Sequence, residues 1–68
     1  MDIVFMYSTD SDRDALLRKV DNSGWAEEVE IVKSARRISI DVLSGMEDEA
    51  EAFAISERFR GRKVVIND

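Results

Sequence analysis

The chain has 68 residues, 15 of them acidic and 10 basic, a net charge of −5, and no cysteine, histidine or proline. Disulfides and thiolate chemistry are therefore excluded, and the usual neutral-pH acid–base and commonest metal ligand is missing. The acidic balance opposes non-specific attraction to nucleic acid or an anionic membrane, and the longest apolar run, residues 3–7, is far short of a membrane span.

In chain order, Ile3, Val4, Phe5, Met6 and Tyr7 are apolar on both faces, which predicts a central strand. Asp2 stands where a basic secretory leader would begin, so no signal peptide is read. Ser8 to Ser11 reads as a turn. Ser11 then serves as the expected N-cap of a helix over 12–23, with a carboxylate at Asp14 in the place of the usual Glu or Gln. Leu16, Leu17, Val20 and Ser23 share one face at the 3.6 period, Arg18 and Lys19 fall toward the end, and Gly24 is a natural left-handed stop.

The segments 28–33 and 37–42 alternate polar and apolar residues, with Ser34, Ala35 and Arg36 between them. They predict a hairpin whose Val29, Ile31, Ile38, Ile40 and Val42 face a core. The turn carries no glycine, so its type is not readable. Ser44-Gly45-Met46-Glu47 matches the S-x-x-E capping box and opens a second helix that runs to Phe59 or Arg60. Its apolar face is centred on Ala52, Phe53, Ser56 and Phe59, with Ile55 at the margin; Gly61 ends it, and 63–67 form a last short strand.

The order is β-α-β-β-α-β in a single domain, 1–68. Two right-handed crossovers around a central hairpin predict an α+β, ferredoxin-like βαββαβ two-layer plait. Its antiparallel four-stranded sheet should have the order 4-1-3-2, with both helices on one face. The other face stays open, carrying Val4, Met6, Glu28, Glu30, Ser39 and Asp41. Both helices place acids early (Asp12, Asp14; Glu47, Asp48, Glu49, Glu51) and bases late (Arg18, Lys19; Arg58, Arg60), complementing each macrodipole.

Chemistry is sought first in Tyr7-Ser8-Thr9-Asp10-Ser11-Asp12-Arg13-Asp14. The D-x-D-x-D spacing of Asp10, Asp12 and Asp14 opens like a calcium loop, but Ala15 replaces the turning glycine and Asp21 the bidentate glutamate. Ser8, Thr9 and Ser11 precede a helix start, yet no glycine or lysine completes a phosphate loop and three aspartates repel an anion. A solvated acidic first turn is the preferred reading. An RNA platform would need exposed aromatics on the third strand; Ile38, Ser39 and Ile40 supply none, so Phe5 and Tyr7 are assigned to the core. The basic groups Lys33, Arg36, Arg37 and Arg58, Arg60, Arg62, Lys63 are read as solvated hairpin and helix-end charges, and Trp25 as core. No catalytic, cofactor-binding or metal-binding residue is assigned, and a monomer without partner, nucleic acid or membrane is expected. No nucleophile–base pair stands out, so an enzyme is not expected.

The step Gly24-Trp25-Ala26-Glu27-Glu28-Val29-Glu30-Ile31 resembles the "GV-x-x-V-x-V" entry to the hairpin in heavy-metal-associated domains, whose M-x-C-x-x-C metal loop corresponds to Met6-Tyr7-Ser8-Thr9-Asp10-Ser11-Asp12. Neither family cysteine is present, so the resemblance implies the plait and not copper transport. Absent Pro, Cys and His, regular caps and macrodipole-matched charges also resemble computationally designed ferredoxin-like proteins. That resemblance implies a stable fold with no biological task; the alternative expectation is a natural small plait acting in protein–protein contact or regulation.

Overall fold

A computed structural model describes all 68 residues, Met1–Asp68. The elements are β1 (Asp2–Met6), α1 (Asp10–Ser23), β2 (Ala26–Val32), a 3₁₀ turn (Lys33–Ala35), β3 (Arg37–Val42), α2 (Glu47–Phe59) and β4 (Val64–Asn67). The strands form one antiparallel sheet in the order β2-β3-β1-β4, as the element order requires of a ferredoxin-like α+β plait. No helix is long and apolar enough to cross a membrane.

β1 is the central strand its composition demands. Ile3 and Phe5 are buried and face the helices, while Asp2, Val4 and Met6 are half-buried on the open face. The register pairs Ile3 with Ile40 and Ile66, and Phe5 with Ile38 and Val64. Ile3, Phe5, Ile38, Ile40 and Val64, with Leu16 and Val20 from α1, Ala50 and Ala54 from α2, and Tyr7, Trp25 and Val42, form one core cluster of 12, against which the half-buried Ile66 packs. The half-buried Phe53 packs against Phe5 and Trp25 in tilted and edge-to-face geometry, with the three ring centroids 5.3–6.5 Å apart. Each fully buried large side chain there contributes roughly 1.5–3 kcal/mol of transfer free energy.

Several sequence expectations are corrected. The N-cap of α1 is Thr9, not Ser11: its hydroxyl accepts from the Asp12 amide at 3.0 Å, and the Asp12 carboxylate accepts in return from the Ser8 amide at 3.1 Å. Asp12 thus holds the third helical position, and the helix starts one half-turn earlier. The last turn of α1 holds no base, because the helix continues past Arg18 and Lys19 to Ser23, where Gly24 stops it at φ +81°. Ser44 does not cap α2. Met46 precedes the helix, and Glu47 turns back to accept from the Gly45 amide at 2.9 Å.

The buried face of α2 is Ala50, Ala54 and Glu57, with Phe53 at its side; Ala52, Ser56 and Phe59 point outward. The expected centre was displaced because an acidic residue lies on the buried stripe, which hydrophobic periodicity cannot see. Val29 and Ile31 do share the helix-side face with Ile40 and Ile38, but β2 is the edge strand, and the helices leave them 45% and 38% exposed. The hairpin turn places Arg36 in the left-handed region, φ 51°, the one non-glycine residue there.

Candidate functional site

The polar side chains converge at one pole, where β1 ends, α1 begins, α2 ends and β4 begins. Arg62 is the hub. Its Nη1 and Nη2 donate to the two oxygens of Asp12 at 3.0 and 2.8 Å, a bidentate pair. Nη1 also donates to the Met6 carbonyl at 2.9 Å, and Nε donates to Glu57 Oε1 at 2.9 Å. Glu57 Oε2 accepts from Lys19 Nζ at 3.3 Å. Two carboxylates and two cations therefore neutralise one another while tying α1, α2 and the α2–β4 loop together, with the Met6 carbonyl fastening β1 to the same guanidinium.

Local structure explains each position. Asp12 is fixed by the α1 cap. Glu57 lies on the buried stripe of α2, three residues after Ala54, with its side chain only 5% exposed. Arg62 follows the turn at Gly61, φ +97°, and its backbone amide donates to the Glu57 carbonyl at 3.1 Å, so the two residues are locked in backbone as well as side chain. Lys19 reaches across from α1 and stays half-exposed.

The ionisations follow from these contacts. The Asp12 carboxyl is lowered from 3.8 to about 2, first by the hydrogen bonds from Arg62, with burial opposing and the Ser8 amide assisting. For Glu57, burial pushes upward, but the hydrogen bonds from Arg62 and Lys19 outweigh it, and the carboxyl ends below its ordinary value. Arg62 is raised, chiefly by Asp12. Asp12, Glu57 and Arg62 are therefore all charged at neutral pH.

A cleft of about 500 Å³ opens on this pole, lined among others by Ser8, Asp12, Lys19, Arg60, Arg62 and Lys63. The Arg62 guanidinium on its wall is engaged by four hydrogen bonds, and the Glu57 carboxylate by two cations, while Arg60 and Lys63 line the rim exposed and without an ion-pair partner. The three loop aspartates do not converge on a common point. Asp12 goes to Arg62, whereas Asp10 and Asp14 pair with Arg13 at 3.3 and 3.1 Å. Arg13 in turn lies over the Tyr7 ring, 5.8 Å from its centroid. No group of three or more acidic side chains forms that could hold a metal ion.

Other residues singled out in the sequence fall as follows. Phe5 and Tyr7 are buried, and Ser39 takes the open-face place where an RNA platform would put an aromatic ring. Lys33, Arg36 and Arg37 are exposed at the hairpin turn. Arg58 donates to the Val64 carbonyl at 2.8 Å, and Arg60 is exposed. Arg62 is the exception to the reading of solvated helix-end charges, with a side chain 14% exposed. Trp25 is 1% exposed, and its indole N–H finds no acceptor. Sequence reasoning missed Glu57. Its signal was its spacing, at i+3 and i+7 from Ala54 and Ala50, which puts a carboxylate on the core side of the helix.

Comparison with protein-family models, with curated proteins and with solved structures gave no significant match.

Proposed function

We propose that this chain works as a folded scaffold and not as a reaction centre: a plait built in the manner of designed ferredoxin-like proteins, which turns over no substrate and holds no cofactor. The observation that carries this reading is the closed charge network at the helix pole. A catalytic or ligand-binding constellation keeps a charged group directed at the place its substrate will occupy. Here Arg62 spends its donors on Asp12, Glu57 and the Met6 carbonyl. Asp12, the residue nearest to a metal-loop position, is spent on a helix cap and an ion pair.

Calorimetric titration of the folded chain with Ca²⁺, Mg²⁺ and ATP, paired with thermal melts, tests the proposal. Flat heats and unchanged midpoints are expected. Saturable binding that disappears in Asp12→Asn would overturn it, since Asp12 would then serve a ligand and not only the fold.

A further inference from the structure

The outer face of α2 carries an apolar ladder that the core does not use. Ala52, Ile55 and Phe59 recur at i, i+3 and i+7, the a/d spacing of a helix–helix seam. All three are exposed, Ile55 at 46% and Phe59 at 91%. A phenylalanine left almost wholly in water at the end of a helix is an uncommon use of a large aromatic side chain.

The charges flanking the ladder identify what fits it. At the 3.6 period, Glu51 and Arg58 flank it on one side, and Glu49 and Arg60 on the other. In an antiparallel pair of identical helices related by a two-fold axis, like flanks face each other, and residues whose numbers have a constant sum meet. With the axis at Ile55 the sum is close to 110. Ile55 then meets Ile55, Phe59 meets the small Ala52, Glu51 meets Arg58, and Glu49 meets Arg60 on both sides of the axis. Both flanks are self-complementary in that register, as an isologous interface requires. In a parallel pair opposite flanks meet at equal height, so Glu51 would lie beside Glu49 and Arg58 beside Arg60 of the partner, which is repulsive.

We infer that α2 is a self-recognition surface, and that a second copy of this chain docks on it antiparallel, with Phe59 of each copy over Ala52 of the other. This goes beyond the scaffold reading and proposes weak self-association where that reading expects a monomer. Three apolar rungs over a 13-residue helix make a small interface, in the class of transient contacts below about 1,200 Å². The association is therefore weak and concentration-dependent.

Sedimentation equilibrium of the full chain, from about 10 µM to 1 mM, spans the relevant range. The weight-average mass is expected to rise from 7.8 kDa toward twice that value. Phe59→Asp, at a residue that contributes nothing to the core, should keep the native circular dichroism, lower the melting midpoint only by the small penalty of an acid at a helix end, and hold the mass at that of the monomer. Glu49→Arg and Arg60→Glu, at exposed side chains with no intramolecular partner and each checked for folding by the same melt, should each associate more weakly alone than the unmodified chain. Mixed together, they should form a heterodimer at least tenfold tighter than either homodimer. A monomer at 1 mM overturns the inference. So does a dimer that survives Phe59→Asp, which would place the contact away from this ladder, or a mixture no tighter than its components, which would refute the antiparallel register.

Discussion

Replacing Arg62 by methionine deletes a guanidinium that makes four hydrogen bonds and keeps most of its aliphatic stem. The loss divides unequally. Glu57, with a side chain 5% exposed, retains only the half-exposed Lys19 ammonium at 3.3 Å. Removing one partner of a buried charge pair costs about 3–5 kcal/mol, because the other charge stays buried and under-compensated. Lys19 recovers part of that. Asp12 is 31% exposed and rehydrates, so its pair adds no more than about 1 kcal/mol. A net loss of about 3 kcal/mol is expected.

At roughly 0.05–0.15 kcal/mol per residue, a 68-residue domain has a total stability of about 3–10 kcal/mol, so this single change removes a large share of it. With a urea slope near 1 kcal/mol per molar, the unfolding midpoint should fall by about 3 M. The double variant Arg62→Met/Glu57→Leu separates the causes. It removes both charges, and a buried pair replaced by apolar groups is close to neutral, so most of the lost stability should return. A single-variant loss below about 1 kcal/mol, or a double variant as unstable as the sum of its parts, would refute the view that the network is a buried, mutually dependent lock.

Acid sensitivity should follow from Asp12. Its folded value near 2 lies below the ordinary 3.8, so its contribution is complete above about pH 4 and is lost as the pH falls through about 2. The difference corresponds to about 2.4 kcal/mol at 1.36 kcal/mol per pH unit, and solvent screening reduces it to about 1 kcal/mol. Glu57, also lowered, acts with the same sign. Melting midpoints from pH 5 to pH 2 should fall less steeply in Asp12→Asn than in the unmodified chain, and parallel slopes would contradict the assignment. Arg36→Gly removes a side chain from the left-handed φ of 51° and should stabilise the hairpin turn by about 0.5 kcal/mol, after the extra entropy of glycine in the unfolded chain is deducted. A lower urea midpoint would show that the arginine side chain is itself needed there. Asn22→Lys supplies the base that the last turn of α1 lacks and should add about 0.3–1 kcal/mol at low salt, fading as salt is raised. A gain that does not depend on salt would point to helix propensity instead.

The strands were legible in the sequence because their signal is the one that burial imposes. A two-sided apolar run reads as a central strand, and alternation reads as half-covered strands, so the order of the sheet followed. Gly24 was equally plain, since few residues other than glycine hold φ near +81°. The caps were not, because Thr9 and Ser11 are both good N-caps and both have an aspartate three residues later. Only the tertiary pull of Arg62 on Asp12 distinguishes them. The phase of α2 was misread for a related reason. The helix carries apolar residues on two faces, and the face that is buried holds a glutamate. Glu57 and Arg62 become a site only when the fold supplies Asp12 and Lys19 from 50 and 38 residues away.

The placement of that site follows from two local rules joined by topology. In this plait α1 descends from the end of β1 and α2 ascends to the start of β4, so the first turn of α1 and the last turn of α2 share a pole. A helix favours acids at its start and bases at its end. Each helix satisfying its own dipole therefore delivers Asp12 and, just past the second helix, Arg62 to the same place, already complementary. At the opposite pole the same logic fails. The acidic first turn of α2, Glu47, Asp48 and Glu49, shares that end with the last turn of α1, which holds Asp21 and no base. One pole is thus clamped by charge, while the other has no ion pair and is held by packing around Trp25, Met46 and Phe53 and by backbone hydrogen bonds such as that from the Leu43 amide to the Trp25 carbonyl at 2.9 Å. Amide exchange should fray the fold from that second pole, because the opening energy of a segment tracks the contacts that hold it.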